Sequence, residues 1–220
     1  MTPRKISSMP FTLADSPEEW PVELTEDLAS GGITTYRRDR VRMPSGKAQK
    51  REYTLHPGAV AVLALDDDTD RVLIITQYRH PVRHRLVELP AGLHDKRGDG
   101  ETPLVAAQRE LWEETDLRAA DWRVLADFYN TAGSSNEASR VYLARGIETA
   151  DGDLHDREDE EADMQTEWVP FEDLLQAVLA GKVGTAATVV GVLALAAARG
   201  RPEGLDSLRP ADAPWPARPF

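Results

Sequence analysis

Glu101-Thr-Pro-Leu-Val-Ala-Ala-Gln-Arg-Glu-Leu-Trp-Glu-Glu-Thr-Asp-Leu117 is the stretch from which the rest of the chain can be read. Leu104, Ala107, Leu111 and Thr115 recur at helical spacing along one stripe. Thr102 suits the N-cap and Pro103 the first helical position, so a helix is expected over Glu101 to Thr115. Glu110, Glu113 and Glu114 then stand at i, i+3 and i+4, and their carboxylates project from one flank. Three like charges packed this way repel unless a cation sits among them. An all-oxygen cluster suits Mg²⁺ or Mn²⁺, which also bind substrate phosphates. Such ions polarise a phosphorus centre, activate water and hold a leaving oxygen. Taken alone, the triplet also fits a solvated helix face with Arg109 in surface pairs.

On the N-terminal side, Gly58-Ala-Val-Ala-Val-Leu-Ala-Leu65 is an apolar run bounded by glycine and by Asp66-Asp67-Asp68, which reads as a buried strand. Arg71 to Tyr78 is expected to return as its partner. Further upstream, Ile33 to Met43 and Lys50 to Leu55 flank Ser45-Gly46 as a hairpin, and Met1 to Asp27 reads as an extended arm. On the C-terminal side, strands are expected at Trp122 to Phe128, Ser139 to Ala144 and Thr166 to Val169. Helices are expected at Phe171 to Ala180 and Ala186 to Ala198. Gly200 to Phe220 carries Pro202, Pro210, Pro214, Pro216 and Pro219 and is expected to be disordered or loosely draped. This order implies an α/β (α+β) sandwich with a mixed sheet. Three regions follow: residues 1–57 as an arm and antiparallel β subdomain, 58–199 as the main domain, and 200–220 as a Pro-rich tail.

The absence of cysteine excludes disulfides, thiolate metal sites and a cysteine nucleophile. A net charge of −12 argues against nucleic acid as a partner. Met1 to Pro10 lacks the apolar core of a signal peptide, and Val183 to Ala198 is too short to span a bilayer, so a soluble, cytoplasmic protein is expected. The five histidines show no ligand spacing, and His80, His84 and His94 are expected at the surface.

The stretch Glu88-Leu-Pro-Ala-Gly92, then Glu101, then Arg109 to Leu117 resembles the Nudix box. In that pattern Gly is followed after five residues by Glu, and after seven more by Arg-Glu-aliphatic-any-Glu-Glu-any-Gly-aliphatic. Gly92, Glu101, Arg109, Glu110, Leu111, Glu113, Glu114 and Leu117 match. Two positions depart. Eight residues rather than five separate Gly92 from Glu101, and Asp116 replaces the final glycine. Aspartate is among the few residues that tolerate the left-handed cap, and neither change removes a carboxylate.

The resemblance implies an α/β/α sandwich. It makes Glu110, Glu113 and Glu114 the metal ligands, Glu110 and Glu114 foremost, with the backbone carbonyl of Ala91 as a further ligand. Arg109 would orient the glutamates and Glu101 would tie the loop to the helix. Two or three Mg²⁺ (or Mn²⁺) per site are implied.

From Thr35 to Ala198 the chain is similar to the bacterial ADP-ribose pyrophosphatases within that family. The likeness is carried by Gln77-Tyr-Arg-His80, Glu88 to Leu93, Ala132-Gly-Ser-Ser-Asn-Glu137, Val141-Tyr-Leu-Ala144 and Trp168-Val-Pro170. Ala132 stands where proline is usual. The resemblance implies hydrolysis of ADP-ribose to AMP and ribose 5-phosphate. The base would come from the acidic run Asp156 to Glu161, with Glu160 first and Glu161 second, and Glu113 and Arg109 assisting. Substrate contacts would come from Arg79, Arg51, Glu137, Gly133, Leu93 and Tyr36; Arg suits bidentate oxyanion recognition. A homodimer is implied. The alternatives are the same chemistry on a nucleotide sugar, NADH or a diadenosine polyphosphate, or a catalytically inactive ligand-binding module.

Overall fold

In a computed structural model, residues 13–94, 100–150 and 163–216 are described. The run from Gly58 becomes the central strand β4 (Ala59–Asp66), with β5 (Arg71–Arg79) as its hairpin partner. Every side chain of β4 between its ends is buried, because both faces of the strand are covered. Ala61, Leu63 and Leu65 face one apolar cluster; Val60, Val62 and Ala64 face the other. The first cluster is closed by α2 (Phe171–Leu179) and α3 (Ala186–Arg199), the second by α1 (Pro103–Thr115) through Ala106, Ala107 and Leu111. This is the expected sandwich.

The sheet is completed by β6 (His84–Glu88), β7 (Ala91–Leu93), β8 (Leu117–Tyr129), β9 (Ala138–Thr149), β10 (Gln165–Pro170) and β11 (Arg209–Pro210). Its order is β10-β5-β4-β9-β8-β11, with β6 on β5 and β7 on β4. It is mixed: β4 and β9 run parallel, whereas β7 is antiparallel on the start of β4. These pairings bring the beginnings of β4 and β9 and all of β7 to one end of the sheet, where the site lies.

A separate antiparallel sheet precedes it: β1 (Val22–Ser30), β2 (Thr35–Arg42) and β3 (Ala48–Leu55). The arm expected through Asp27 is thus replaced by a strand from Val22. All of β1 is exposed, so no buried face marks it in the sequence. The end of β3 is stitched to the loop before β9: Thr54 N donates to Ser134 O at 2.9 Å, and Asn136 N to Thr54 O at 3.2 Å.

The tail differs from expectation. Gly204–Ser207 forms a 3-10 turn and β11 pairs with β8. Its anchor is Arg140, 1% exposed, which donates to Asp127 at 2.7 and 2.9 Å and to the carbonyls of Ala213 and Pro214 at 2.8 and 2.9 Å. A buried guanidinium must satisfy its donors, and a proline-rich segment supplies free carbonyls without N–H groups of its own. Composition signalled disorder; Arg140, the pairing with β8 and the packing of Leu205, Leu208 and Trp215 supply the order.

Candidate active site

The turn Leu89 to Gly92 is fixed from three sides. Pro90 O accepts from Val62 N at 2.8 Å, and Leu89 N donates to Thr188 Oγ1 at 3.2 Å. Ala91 N donates to Glu114 Oε2 at 2.9 Å. The last contact brings the Ala91–Gly92 turn against the second half of α1. Glu110 also abuts it: a β-carbon placed on Gly92 would lie 2.0 Å from the Glu110 carboxyl carbon. Only glycine leaves that space.

The helix that carries these groups starts and stops as its sequence requires. Thr102 Oγ1 accepts from Val105 N at 3.2 Å, and Pro103 occupies the first turn. At its end Asp116 adopts φ 56° and ψ 29°, the left-handed cap, and its N–H reaches Trp112 O at 2.8 Å. Aspartate therefore takes the conformation that glycine would supply.

Arg109 is the hub. Its Nε donates to Glu101 Oε1 at 3.0 Å, and its Nη1 to Glu110 Oε1 at 2.6 Å and Glu113 Oε2 at 2.9 Å. Burial works against its charge, but the hydrogen bonds to Glu101, Glu113 and Glu110 and the field of Glu110 more than offset this, so its pKa lies above the ordinary arginine value.

Glu110 and Glu114 are buried beside the Ala91–Gly92 turn, whereas Glu113 is half-buried and paired with Arg109. Arg109 Nη1 lies between Glu110 Oε1 and Glu113 Oε2 and draws the two carboxylates together. The two buried carboxylates of α1 lie against a backbone turn, and their oxygen-only chemistry, with Gly92 kept clear for Glu110, fits a hard divalent cation.

The other expected residues fall into separate groups. Arg79 is engaged with Glu88: its Nε reaches Oε1 at 3.0 Å and its Nη2 reaches Oε2 at 2.8 Å, while Gln77 Nε2 adds a bond of 3.2 Å to Oε2. Arg51 and Gly133 line one cavity of about 420 Å³ with Tyr53, Tyr129 and Asn136. Glu137 follows Asn136 on the same loop, with its carboxylate 4.0 Å from His56 Nδ1. That nitrogen also accepts from Gly58 N at 3.1 Å. Leu93 pairs with Ala59, and its carbonyl lies 3.5 Å from Arg109 Nη2.

Tyr36 pairs across with Thr54, and so sits on the face of the small sheet opposite Arg51. Its hydroxyl donates to Glu52 at 3.0 Å. Within one chain Tyr36 and Arg51 cannot serve one ligand from the same face. The aromatics beside Arg51 are instead Tyr53 and Tyr129, which sequence reading passed over; the position of Tyr129 just before the Asn130 to Glu137 loop was the available signal. Glu160 and Glu161 lie outside the described residues.

His94, expected at the surface, is 1% exposed. Its neighbours Asp95 to Gly100 are polar, and the partner that buries it, Trp215, is remote in sequence.

The sequence profile of the NUDIX domain matches residues 55–187. An ADP-ribose pyrophosphatase of Mycobacterium tuberculosis is 42% identical over 196 residues, covering 89% of this chain and 90% of that protein. An ADP-ribose pyrophosphatase of Bacillus subtilis is 35% identical over 76% of this chain and 87% of its own. A methanol dehydrogenase activator of Bacillus methanolicus is 33% identical over 76% and 88%. A crystal structure of an ADP compounds hydrolase superposes with a TM-score of 0.68, covering 84% of this chain and 96% of that one; at 18% identity it shows the fold.

Proposed function

This chain belongs to the Nudix family, and from that premise we propose that it hydrolyses the pyrophosphate bond of ADP-ribose to AMP and ribose 5-phosphate. The observation that carries the reading is the burial of Glu110 and Glu114 against the Ala91–Gly92 turn, with Arg109 bridging Glu110 to Glu101. The family works with divalent metal ions, and we infer Mg²⁺, two or three per site. Glu110, Glu114 and the carbonyl of Ala91 would hold them, with Glu113 assisting. Bound there, they would neutralise the diphosphate and polarise its phosphorus.

The chain's own groups do the rest. Arg109 keeps Glu110 and Glu113 in place. Arg79, braced by Glu88, and Arg51, beside Gly133, offer guanidinium groups to phosphate or ribose oxygens. Leu93 and Glu137 border the same end of the sheet. Glu160, or Glu161, takes the proton of the attacking water. Tyr36 could stack on a base only on the outer face of the small sheet. That fits the proposed homodimer, in which the sheet of one subunit meets the other. The exposed Val22, Leu24 and Leu28 of β1, with Ile33 in the turn after it, favour such an interface. Among the described residues no helix is long and apolar enough to cross a membrane, in keeping with the proposed cytoplasmic setting.

The test is product formation from ADP-ribose, NADH, GDP-mannose and diadenosine polyphosphates, with and without Mg²⁺. Preference for ADP-ribose, abolished by chelation, is expected. Preference for another compound sinks the substrate, and silence across the panel sinks the enzyme.

A further inference from the structure

We propose that His94 and Trp215 form a clasp that closes the lengthened connection between Gly92 and Glu101, making both of them positioning residues for the carboxylates of α1. The proposal rests on the active-site reading above. The connection holds eight residues where the family pattern has five, so the problem it answers is written in the sequence. Extra residues enlarge the set of positions open to Glu101, whereas Arg109 needs that carboxylate in one place.

His94 binds both ends of the connection. Its backbone N donates to Gly58 O at 3.1 Å, which fixes it beside β4 and β7. Its Nε2 lies 3.0 Å from the carbonyl oxygen of Glu101, which can only accept, so Nε2 carries the proton. Glu101 in turn receives Arg109 Nε at 3.0 Å, and Arg109 holds Glu110 and Glu113. A side-chain bond across the connection therefore fixes the residue on which the glutamate hub leans.

The tail fixes the ring. Trp215 meets His94 edge to face, with centroids 6.4 Å apart and planes at 85°. Behind Trp215 stands the Arg140 guanidinium, 5.1 Å from its ring centre. Arg140 also holds the carbonyls of Ala213 and Pro214, and Arg209 donates to Asp127 at 2.7 Å. Residues 209–215 thus form a strap whose last described aromatic braces the His94 imidazole.

A histidine that merely fills space would be replaceable by an aromatic ring and not by an amide. A clasp has the opposite requirement: a donor toward Glu101 O must survive. His94→Phe, His94→Gln, Trp215→Phe and Trp215→Ala separate the two. Two readouts are needed: amide exchange of the peptide spanning 101–109, and direct Mn²⁺ binding by electron paramagnetic resonance.

His94→Phe and Trp215→Ala should speed exchange and weaken Mn²⁺ binding by roughly tenfold or more, in the range seen when groups supporting metal ligands are removed. His94→Gln and Trp215→Phe should stay within about threefold of wild type on the same scale. The proposal is overturned if His94→Phe matches wild type in both readouts. If His94→Phe does not fold, Trp215→Ala decides, since Trp215 is only half-buried; wild-type behaviour there is equally fatal. Should the wild-type protein bind no Mn²⁺, the active-site reading fails, and the exchange comparison still judges the clasp.

Discussion

The carboxylate of Glu110 occupies the space a β-carbon on Gly92 would fill, its three terminal atoms lying 2.0, 2.1 and 2.3 Å from that position. Gly92 is not at positive φ, so alanine can adopt its backbone. What must move is the end of a flexible side chain, and this costs the fold little. Gly92→Ala should therefore melt close to wild type but lose turnover on the order of a hundredfold, as a displaced catalytic group does. Equal turnover would show that Glu110 does not act from this position.

Glu114 is 4% exposed and accepts from Ala91 N at 2.9 Å. In Glu114→Gln the amide oxygen can accept the same bond, so folding should survive. The charge that a cation needs is gone, and turnover should drop by about a hundredfold or more. Excess metal should recover little of it. Calorimetric metal titration checks the cause; a variant with normal metal affinity and normal turnover removes Glu114 from the site.

The helix and its caps were legible because each signal was local: Thr102, Pro103 and Asp116 each act on backbone groups within one turn. The central strand was legible because Val60 to Leu65 is apolar on both faces. What escaped depended on remote partners. The strand β1 has no buried face, β7 is three residues long, and the tail is ordered by Arg140. The same holds for the site. Spacing grouped the three glutamates but did not show that Arg109 would bridge Glu110 and Glu113 through one nitrogen. Arg79 was expected at the substrate, and its partner Glu88 comes from a strand not read in the sequence. His94 looked exposed until Trp215 covered it.

The acidic run offers a kinetic test. If Glu160 takes the proton from water, Glu160→Gln should reduce the rate far more than it reduces metal affinity. Should Glu161→Gln alone show that split, the base is the next residue along. Parallel metal titrations of both variants decide between them.

Burial raises the pKa of the Tyr142 phenol, with the neighbouring Arg140 pulling in the opposite direction. A raised value means the folded state favours the neutral form. The associated stability is fully present below the unfolded value of about 10 and is lost as pH rises through the folded value. Tyr142→Phe cannot ionise. Across thermal melts from neutral pH to about pH 11, wild type should therefore lose ground to Tyr142→Phe only at the alkaline end. A constant difference over that range would rule out Tyr142 as the titrating group.

Arg109 and a bound cation do the same electrostatic work for Glu110, and this makes the two partly interchangeable for stability but not for catalysis. Arg109→Ala leaves Glu101, Glu110 and Glu113 without their shared counter-charge. In chelator the variant should melt below wild type, because three carboxylates then face each other near a partly buried surface. Adding Mg²⁺ supplies charge to the folded state alone, so its stabilising effect should be larger in the variant than in wild type. Turnover should stay depressed even at saturating Mg²⁺, since the ion cannot hold Glu101 and Glu113 in their places. Arg109→Lys sharpens the point. It restores the charge, and with it most of the melting temperature in chelator, but one ammonium cannot reproduce a fork directed at three carboxylates. Its turnover should remain closer to Arg109→Ala than to wild type. If Arg109→Lys is instead fully active, the arginine acts only as a point charge and the geometry of its contacts carries no function.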